Sequence, residues 1–207
     1  MTEPDEHADA ERLEQLWRGD YGDEWSDRNI GMYGTRQPVW DAFMQRLQPR
    51  RVLEVGCNVG GNLRWIAPHV PKGALYGIDV NRHSLDLIHE FVPDANVLVA
   101  SARDLPFRDA YFDLVFTVGV LIHHPDGALE AAIRELVRCS SRWVLVVEMY
   151  AEEVTEIPHR GIQNAILKRD YGRIVGEVAP ELTPVDTGFL SVEDGFDSLN
   201  WWLFEKR

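Results

Sequence analysis

A glycine-rich turn, followed by a carboxylate nineteen residues later, is the part of this sequence whose residue types and spacing could bind a cofactor. The run VLEVGCNVGGN, residues 52–62, is predicted as a strand that passes through the turn into a helix. Asp79 ends the next apolar run. An acid about 20 residues beyond such a turn is placed to accept both hydroxyls of an adenosine ribose. The alternative is a solvated acid that caps the start of the next helix.

The spacing within the turn bears on which adenosine cofactor it would hold. Gly56 and Gly60 with Asn58 between them do not form the pattern G-x-G-x-x-G, which brings a helix N-terminus to a pyrophosphate. Asparagine tolerates a left-handed backbone, so the turn can form, but its side chain would crowd the pyrophosphate of NAD. The methionine tail of S-adenosylmethionine (SAM) would accommodate that side chain more readily. The turn therefore favours SAM over a nicotinamide cofactor.

Two histidines follow the fourth predicted strand, at the edge of the sheet where a ligand would bind. Histidine is suited to accept a proton near neutral pH, which a hydroxyl or amine nucleophile requires. His123 is the first candidate for such a base and His124 the second; the alternative is a structural histidine bonded to the backbone. Glu148 ends the fifth predicted strand and is a further catalytic candidate. An unpaired carboxylate is costly in an apolar strand, so we expect Glu148 to meet a cation or a ligand.

A second group of polar residues follows the fifth strand and includes the densest basic patch of an acidic chain. Arginine suits carboxylate and phosphate groups, so the patch predicts an anionic small molecule, such as an acidic sugar, a nucleotide-linked sugar or an amino-acid derivative. The alternative is a solvated helix end, where basic side chains suit the helix dipole. The residues assigned to this substrate site are Tyr150, His159, Arg160, Lys168 and Arg169, with His159 also a catalytic candidate.

The elements that must position these residues alternate along the chain. Short apolar runs separated by helical patterns predict an α/β fold, with a mostly parallel, Rossmann-like sheet and helices on both of its faces. The closing runs LTPVDTGFLS and NWWLFEKR are predicted to pair antiparallel, and Gln163 to Val178 is predicted as an amphipathic helix. Residues 1–48 are predicted as N-terminal helices with an irregular stretch around Trp25 that could fold over the cofactor. Residues 49–207 are predicted as the remainder of one domain.

Composition limits the partners and the location. A formal net charge of −13 argues against nucleic acid as a partner, and no apolar run approaches membrane-spanning length. The N-terminus lacks the apolar core of a signal peptide, so we expect a cytoplasmic protein, as a monomer or homodimer. Cys57 and Cys139 have neither disulfide nor metal-ligand spacing, so we expect no metal.

Together with the glycine turn, the segment SARDLPFRDAYFDLVFTVGVLIHH resembles class I SAM-dependent methyltransferases, whose sheet has seven strands with the last one antiparallel. A narrower resemblance is to the small methylases associated with pseudaminic acid biosynthesis clusters. It is carried by GDYGDEWSDRN, LEVGCNVGGNL, GVLIHHPD, IPHRG, LKRDYG, DTGF and WWLFEK. The chain departs from those methylases at EMYAEEV, where they favour more aromatic and proline character.

The resemblance implies SAM as the cofactor and methyl transfer to an oxygen or nitrogen of the small anionic molecule as the activity. The alternatives are a non-catalytic SAM-binding protein and a nicotinamide-dependent oxidoreductase. Ser101 stands where aspartate is more usual, which would weaken its contact with adenine, and Arg28 has a surface ion pair as its alternative role. Carried over by position, the cofactor residues are Glu54, Gly56, Asn58 and Gly60 at the methionine portion, Asp79 at the ribose, Ser101 and Ala102 at the adenine, and Arg28 at the SAM carboxylate. Thr117 is a further cofactor candidate because its hydroxyl lies near the carboxyl end of the fourth strand.

Overall fold

A computed structural model describes residues 6–31, 34, 36–159 and 162–207 of the chain. Its helices are α1 (Glu6–Arg18), α2 (Asp20–Asn29), α3 (Gln37–Leu47), α4 (Leu63–Ile66), α5 (Arg82–Ile88), α6 (Asp126–Cys139) and α7 (Tyr171–Val178), with 3₁₀ turns at Ala67–His69 and Leu121–His123. Its strands are β1 (Val52–Val55), β2 (Leu75–Asp79), β3 (Asn96–Val99), β4 (Phe112–Val118), β5 (Ser140–Glu148), β6 (Thr155–His159), β7 (Ile162–Lys168), β8 (Leu182–Leu190) and β9 (Leu199–Lys206).

Within the described residues, the main sheet has seven strands in the order β3-β2-β1-β4-β5-β9-β8. The strands from β3 to β5 are parallel, whereas β9 runs antiparallel between β5 and β8. The structure thus confirms the predicted Rossmann-like sheet and the antiparallel pairing of the two closing runs. The strand order reverses between β1 and β4, and ligands of open α/β sheets bind at the carboxyl ends of the strands at such a point.

Helices cover both faces of this sheet, as the alternating pattern predicts. On one face, α3, α4 and α5 bury apolar side chains such as Trp40, Leu63 and Ile88. On the other face, α6 and α7 bury side chains such as Ile133 and Tyr171. With apolar layers on both sides, the central strands can be continuously apolar, and all four residues of β1 are buried.

The predicted helix from Gln163 to Val178 is wrong over its first part. Residues 162–168 form β7, which pairs antiparallel with β6 as a separate hairpin, and helix α7 begins only at Tyr171. The apolar spacing of IQNAILK also fits a helix, so the pattern of this run alone could not decide between the two states. The strand is favoured by pairing with β6, in which Ile166 lies opposite Ile157, and this pairing cannot be read from the run itself.

The N-terminal stretch that shows no periodicity is also regular, because it contains α2. The buried residues of α2 are Gly22, Ser26 and Asn29, which lie on one face of the helix at helical spacing. This face is small and polar instead of apolar, so a search for a hydrophobic stripe does not find it.

Gly22 lies where the chain has no room for a side chain. A Cβ atom there would lie 1.9 Å from the carbonyl oxygen of Trp17 and 2.8 Å from Nδ2 of Asn81. We expect Gly22→Ala to lower the free energy of unfolding by about 1–3 kcal/mol, since backbone atoms must shift to admit the methyl group. Urea unfolding measures this loss. Gly19→Ala is the control, because a Cβ at Gly19 meets only the carbonyl oxygen of Gln15, at 3.5 Å. Equal stabilities of the two variants would contradict the tight approach of α2 to Asn81.

Candidate functional site

A cleft of about 550 Å³ lies at the carboxyl ends of β1, β2 and β4. Helices α1 and α2, here called the α1–α2 pair, line it on one side and the β6–β7 hairpin lines it on another. The lining residues include Trp17 and Trp25 from the α1–α2 pair, Gly56 and Asn58 from the glycine turn, Asp79 and Asn81 after β2, His123 and His124 after β4, and Ile157 and Ile166 from the hairpin.

The glycine turn adopts the left-handed conformation predicted for it. The φ angles are +76° at Gly56, +46° at Asn58 and +78° at Gly60. A Cβ at Gly56 would lie 2.3 Å from a methyl carbon of Val120, so glycine is required there for space as well as for conformation. The left-handed backbone at Asn58 confirms that asparagine is tolerated in the turn.

The side chain of Asn58 connects the glycine turn to α2. Its Oδ1 accepts a hydrogen bond from Asn29 at 3.4 Å, and its Nδ2 donates to the hydroxyl of Ser26 at 3.1 Å. Ser26 in turn donates to the carbonyl of Gly22. The residue that breaks the dinucleotide pattern therefore holds the α1–α2 pair against the turn.

Asp79 ends β2, and its carboxylate bonds the backbone of the glycine turn and of the residues after β2. Its Oδ2 accepts the N–H of Asn58 and its Oδ1 accepts the N–H of Asn81, each at 2.9 Å. Burial raises the pKa of Asp79, and these backbone N–H groups oppose that rise. The helix-capping role that was the alternative for Asp79 belongs to Asn81, whose side chain accepts the N–H of Ser84.

Glu54, in β1, is a buried carboxyl group of the cleft with a strongly raised pKa. It is 1% exposed, its Oε1 accepts a hydrogen bond from Asn62 at 2.6 Å, and its Oε2 is buried without a partner among the described residues. Burial raises its pKa from 4.5 to about 8, although the hydrogen bond from Asn62 and the charge of Arg36 act in the opposite direction. A buried carboxylate oxygen that lacks a donor marks a place where a cationic or N–H-bearing ligand group would bind favourably.

Behind Glu54 lies a polar cluster that the sequence reasoning missed. Asn62 Oδ1 accepts hydrogen bonds from Arg36 at 2.8 Å and from the indole of Trp40 at 3.2 Å. Arg36 also donates to the carbonyl of Gly195 and stacks over Phe196. Asn62 directly follows the glycine turn and could have been found from it, whereas Arg36 stands outside every motif and offered no signal.

His123 and His124 both line the cleft, and both donate a ring N–H to the backbone. Nδ1 of His123 is bonded to the carbonyl of Ala165 in the hairpin, and Nδ1 of His124 to the carbonyl of Val120. A carbonyl only accepts, so each neutral ring carries its proton on Nδ1 and has Nε2 as the acceptor. Burial lowers the pKa of His124 to about 4, which makes it a weak base.

Glu148 meets neither a cation nor the cleft. Its carboxylate accepts the N–H groups of Val120 and Leu121 at 3.0 Å and that of Ile122 at 3.4 Å. Burial raises its pKa to about 7, and these donors limit the rise. The expectation that Glu148 meets a cation or a ligand is thus corrected: backbone N–H groups compensate its burial and shape the turn that carries His123.

The residues predicted at the adenine end are divided between the cleft and its support. Ala102 lines the cleft, whereas the hydroxyl of Ser101 donates to Glu14 of α1 at 2.7 Å. Arg103 donates to the same Glu14 oxygen at 2.8 Å, which anchors α1 beside β3. Thr117 is fully buried in β4 and pairs with neighbours in β1 and β5.

Of the predicted basic substrate patch, the described side chains of Tyr150, Lys168 and Arg169 do not line the cleft. Arg169 is 4% exposed and forms an ion pair with Asp126 at 2.8 Å, while Tyr150 is exposed beside Trp202. Lys168 ends β7 opposite Thr155, and its predicted helix end is absent because the segment is a strand. His159 ends β6, but its side chain lies outside the described part of the chain, as does the whole of Arg160.

Two further predicted cofactor residues have structural partners. A Cβ at Gly60 would meet Ile88 at 2.6 Å, so Gly60 allows close packing of the turn on α5. Arg28 of α2 lies 3.5 Å from Glu24 and 5.6 Å from the ring centre of Trp25. Its Nε and Nη2 atoms are buried without a partner among the described residues, so the ion pair with Glu24 leaves donors to spare.

Residues 52–142 match a protein-family model described as Methyltransferase domain. Over 98 residues, the chain is 32% identical to the chloroplastic tocopherol O-methyltransferase of Arabidopsis thaliana. The matched region covers 44% of this chain and 27% of that protein. The chain spans about a third of the length of such curated relatives.

Solved structures extend the comparison over nearly the whole chain. Magnesium protoporphyrin IX methyltransferase from Synechocystis PCC 6803, with bound SAM, matches with a TM-score of 0.68 and 15% identity over 96% of this chain and 97% of that one. The 1,6-didemethyltoxoflavin-N1-methyltransferase of Burkholderia thailandensis, with bound 1,6-didemethyltoxoflavin and S-adenosylhomocysteine (SAH), matches with a TM-score of 0.69 and 16% identity over 100% of this chain and 91% of that one. The chain therefore has the Rossmann-like fold of SAM-dependent methyltransferases, and residues 52–142 are the part that matches a methyltransferase domain.

The described residues contain no group of three or more histidine, cysteine, aspartate or glutamate side chains that could hold a metal ion. None of their helices has the length and apolar character that a membrane crossing requires.

Proposed function

We propose that this protein is a SAM-dependent methyltransferase that methylates an oxygen or nitrogen atom of a small molecule. The observation that carries the proposal is the buried Glu54 oxygen without a donor, which lies beside the glycine turn and Asp79 in one cleft. The ammonium group of a methionine tail would supply that missing donor. A dinucleotide would instead bring the negative charges of a pyrophosphate close to Asp79, at a cost in electrostatic free energy, and a pyrophosphate has no N–H donor for the Glu54 oxygen.

Each of these cleft residues would bind a different part of the cofactor. Glu54 would accept the ammonium group, Asp79 the ribose hydroxyls, and the backbone around Ala102 the adenine edge. When bound, SAM supplies a sulfonium methyl group that an oxygen or nitrogen nucleophile can take. Arg28, with its unpartnered guanidinium atoms, would contribute to binding the carboxylate of the methionine portion.

The α1–α2 pair would act as a cover over the cofactor, which is the role that the sequence predicts for part of residues 1–48. Its attachments to the cofactor-binding loops are side-chain hydrogen bonds: Asn58 to Ser26 and Asn29, and Asn81 to Asp23 and the carbonyl of Trp17. Excluding water from the cleft strengthens the electrostatic contacts inside it and prevents hydrolysis.

His123 would be the general base. The hairpin carbonyl of Ala165 keeps the proton on Nδ1, so Nε2 is the atom that accepts a proton from the nucleophile. His124, with its pKa of about 4, is neutral at physiological pH and too weakly basic for efficient proton transfer at that pH.

The anionic acceptor predicted from the sequence depends mainly on two residues. Arg160 lies outside the described residues, and so does the side chain of His159. Arg169 is already paired with Asp126. The narrower resemblance to pseudaminic acid cluster methylases, and with it an acidic sugar acceptor, stays a prediction.

Replacing Glu54 by glutamine tests the proposed cofactor site. Glu54→Gln should weaken SAH binding about 10–100-fold, the cost of one charge-assisted hydrogen bond. The same change should stabilise the ligand-free protein at pH 8.5 but not at pH 5. Because folding raises the pKa of this carboxyl group from 4.5 to about 8, its contribution to stability is present below pH 4.5 and is lost as the pH rises to about 8.

Calorimetric titration with SAH and thermal unfolding at the two pH values measure both effects. A gain of about 1 kcal/mol at pH 8.5 would raise Tm by about 2–4 °C in a chain of this length. Glu130→Gln is the control, since Glu130 is exposed on α6 and paired with Arg134. Unchanged SAH affinity in Glu54→Gln would contradict the assignment of Glu54 to the ammonium group.

A further inference from the structure

The cleft has two halves of different chemistry. The half at β1 and β2 is polar, with Glu54, Asn58, Asp79 and Asn81. The half under the hairpin is apolar and is lined by Ile122, Met149, Ile157, Ile166 and Leu199. Since the polar half matches the cofactor in the proposed function, the apolar half is left for the acceptor.

The hairpin joins this apolar wall to the proposed base. Ile157 and Ile166 face each other across the two strands, and the neighbouring Ala165 carbonyl bonds Nδ1 of His123. The ring centre of Trp17 lies 4.5 Å from that of His123, so the two rings are in contact and form one aromatic surface. A ring packed against this surface and the hairpin isoleucines would lie beside the atom that accepts the proton.

The charges of the lining disfavour an anion. Among the described lining residues, the carboxyl groups are those of Glu14, Glu54, Asp79 and Asp197, and the guanidinium groups are those of Arg36 and Arg103. Arg103 is paired with Glu14, and Arg36 is bonded to Asn62 and Gly195. Glu54, with its pKa of about 8, is mostly uncharged at neutral pH, but the other three carboxyl groups still face two guanidinium groups that are already bonded. An anionic acceptor would therefore meet slightly more negative charge than positive charge in this cleft.

We propose that the acceptor is an uncharged aromatic molecule with a hydroxyl or N–H group on its ring, bound against the hairpin isoleucines and the aromatic surface of Trp17 and His123. This inference rests on the proposed function, because it assigns the rest of the cleft to the cofactor. Apolar walls with a few placed polar groups are typical of sites for such ligands, and the methionine sulfur of Met149 adds favourable contact with a ring.

The test measures equilibrium binding to the protein saturated with SAH, and binding is detected as quenching of tryptophan fluorescence. The probes are 2-naphthol and 4-phenylphenol as uncharged aromatic alcohols, and glucuronic acid and N-acetylneuraminic acid as acidic sugars. We expect the alcohols to bind and the acidic sugars not to bind. Ile157→Asp should weaken the alcohols at least about tenfold by placing a carboxylate in the apolar wall. Val154→Asp is the matched control, because Val154 is 66% exposed just before the hairpin.

The outcomes separate this inference from the proposed function. Wild-type protein that binds SAH and the acidic sugars but not the aromatic alcohols would overturn the aromatic acceptor and leave the methyltransferase proposal standing. Equal binding of the alcohols to wild type and to an Ile157→Asp variant that still binds SAH would also overturn it. Absence of SAH binding to the wild type would remove both proposals together. The comparison of probes on wild type needs no variant, so the test stands even if Ile157→Asp does not fold.

Discussion

His123→Asn is expected to lower kcat by about 10²–10⁴-fold, the usual contribution of a general base, while the Kd for SAH changes by less than about twofold. The asparagine amide can still donate a hydrogen bond to the Ala165 carbonyl, as Nδ1 of His123 does, but it has no atom that accepts a proton at neutral pH. The rate is measured as SAH formed from SAM, with whichever of the aromatic alcohols and acidic sugars named above gives the fastest turnover with the wild type.

Two controls separate a lost base from a disturbed cleft. His124→Asn keeps a donor to the Val120 carbonyl, and because His124 is a weak base its loss should cost less than about fivefold in kcat. Added imidazole should restore part of the rate of His123→Asn, since it can act as a diffusible base. If His124→Asn instead shows the larger loss, or imidazole has no effect on His123→Asn, then His123 is not the base.

Asp79→Asn is expected to weaken SAH binding by about 100-fold. Two hydrogen bonds from the ribose hydroxyls to a charged acceptor contribute about 1.5 kcal/mol each, and together they correspond to about two powers of ten in Kd. The variant keeps one side-chain oxygen that can accept an N–H of the turn. The change in affinity should therefore exceed what a loosened turn alone would give.

Asp113→Asn provides the comparison for the loosened backbone. Asp113 accepts the N–H groups of Arg50 and Arg51 at 2.8 Å, as Asp79 accepts those of Asn58 and Asn81. Asp113 is at the amino end of β4, on the opposite edge of the sheet from the cleft. We expect Asp113→Asn to lower Tm while leaving SAH affinity unchanged. Similar SAH affinities of the two variants would show that Asp79 acts on the fold and not on the ribose.

The fold could be predicted because its signals are local. Each buried strand is a short apolar run, and each helix between strands carries an apolar stripe, so alternation alone defines a parallel sheet. The glycine turn could be predicted for the same reason. Its left-handed positions are occupied by Gly56, Asn58 and Gly60, and glycine and asparagine are the residue types that tolerate this conformation.

The elements around the cleft could not be predicted, because their structure depends on contacts between distant segments. Strand β7 is defined by pairing with β6, and α2 by a small polar face that contacts Asn58. The guanidinium group of Arg169 is suited to bind an anion, but it pairs with Asp126, which lies more than 40 residues earlier in the sequence. The sequence places Glu148 at the end of an apolar strand and so indicates that it is buried. The N–H groups of residues 120–122 that compensate this burial could not be predicted, because they depend on the conformation of the turn after β4.

The most direct test of the central claim is calorimetric titration of the wild-type protein with SAH and, separately, with NAD at neutral pH. If the cleft is a SAM site, SAH will bind one equivalent per chain with micromolar or tighter Kd, and NAD will produce no binding heat. Binding of NAD in preference to SAH, or of neither, would contradict the claim that Glu54, Asp79 and the glycine turn form a site for SAM.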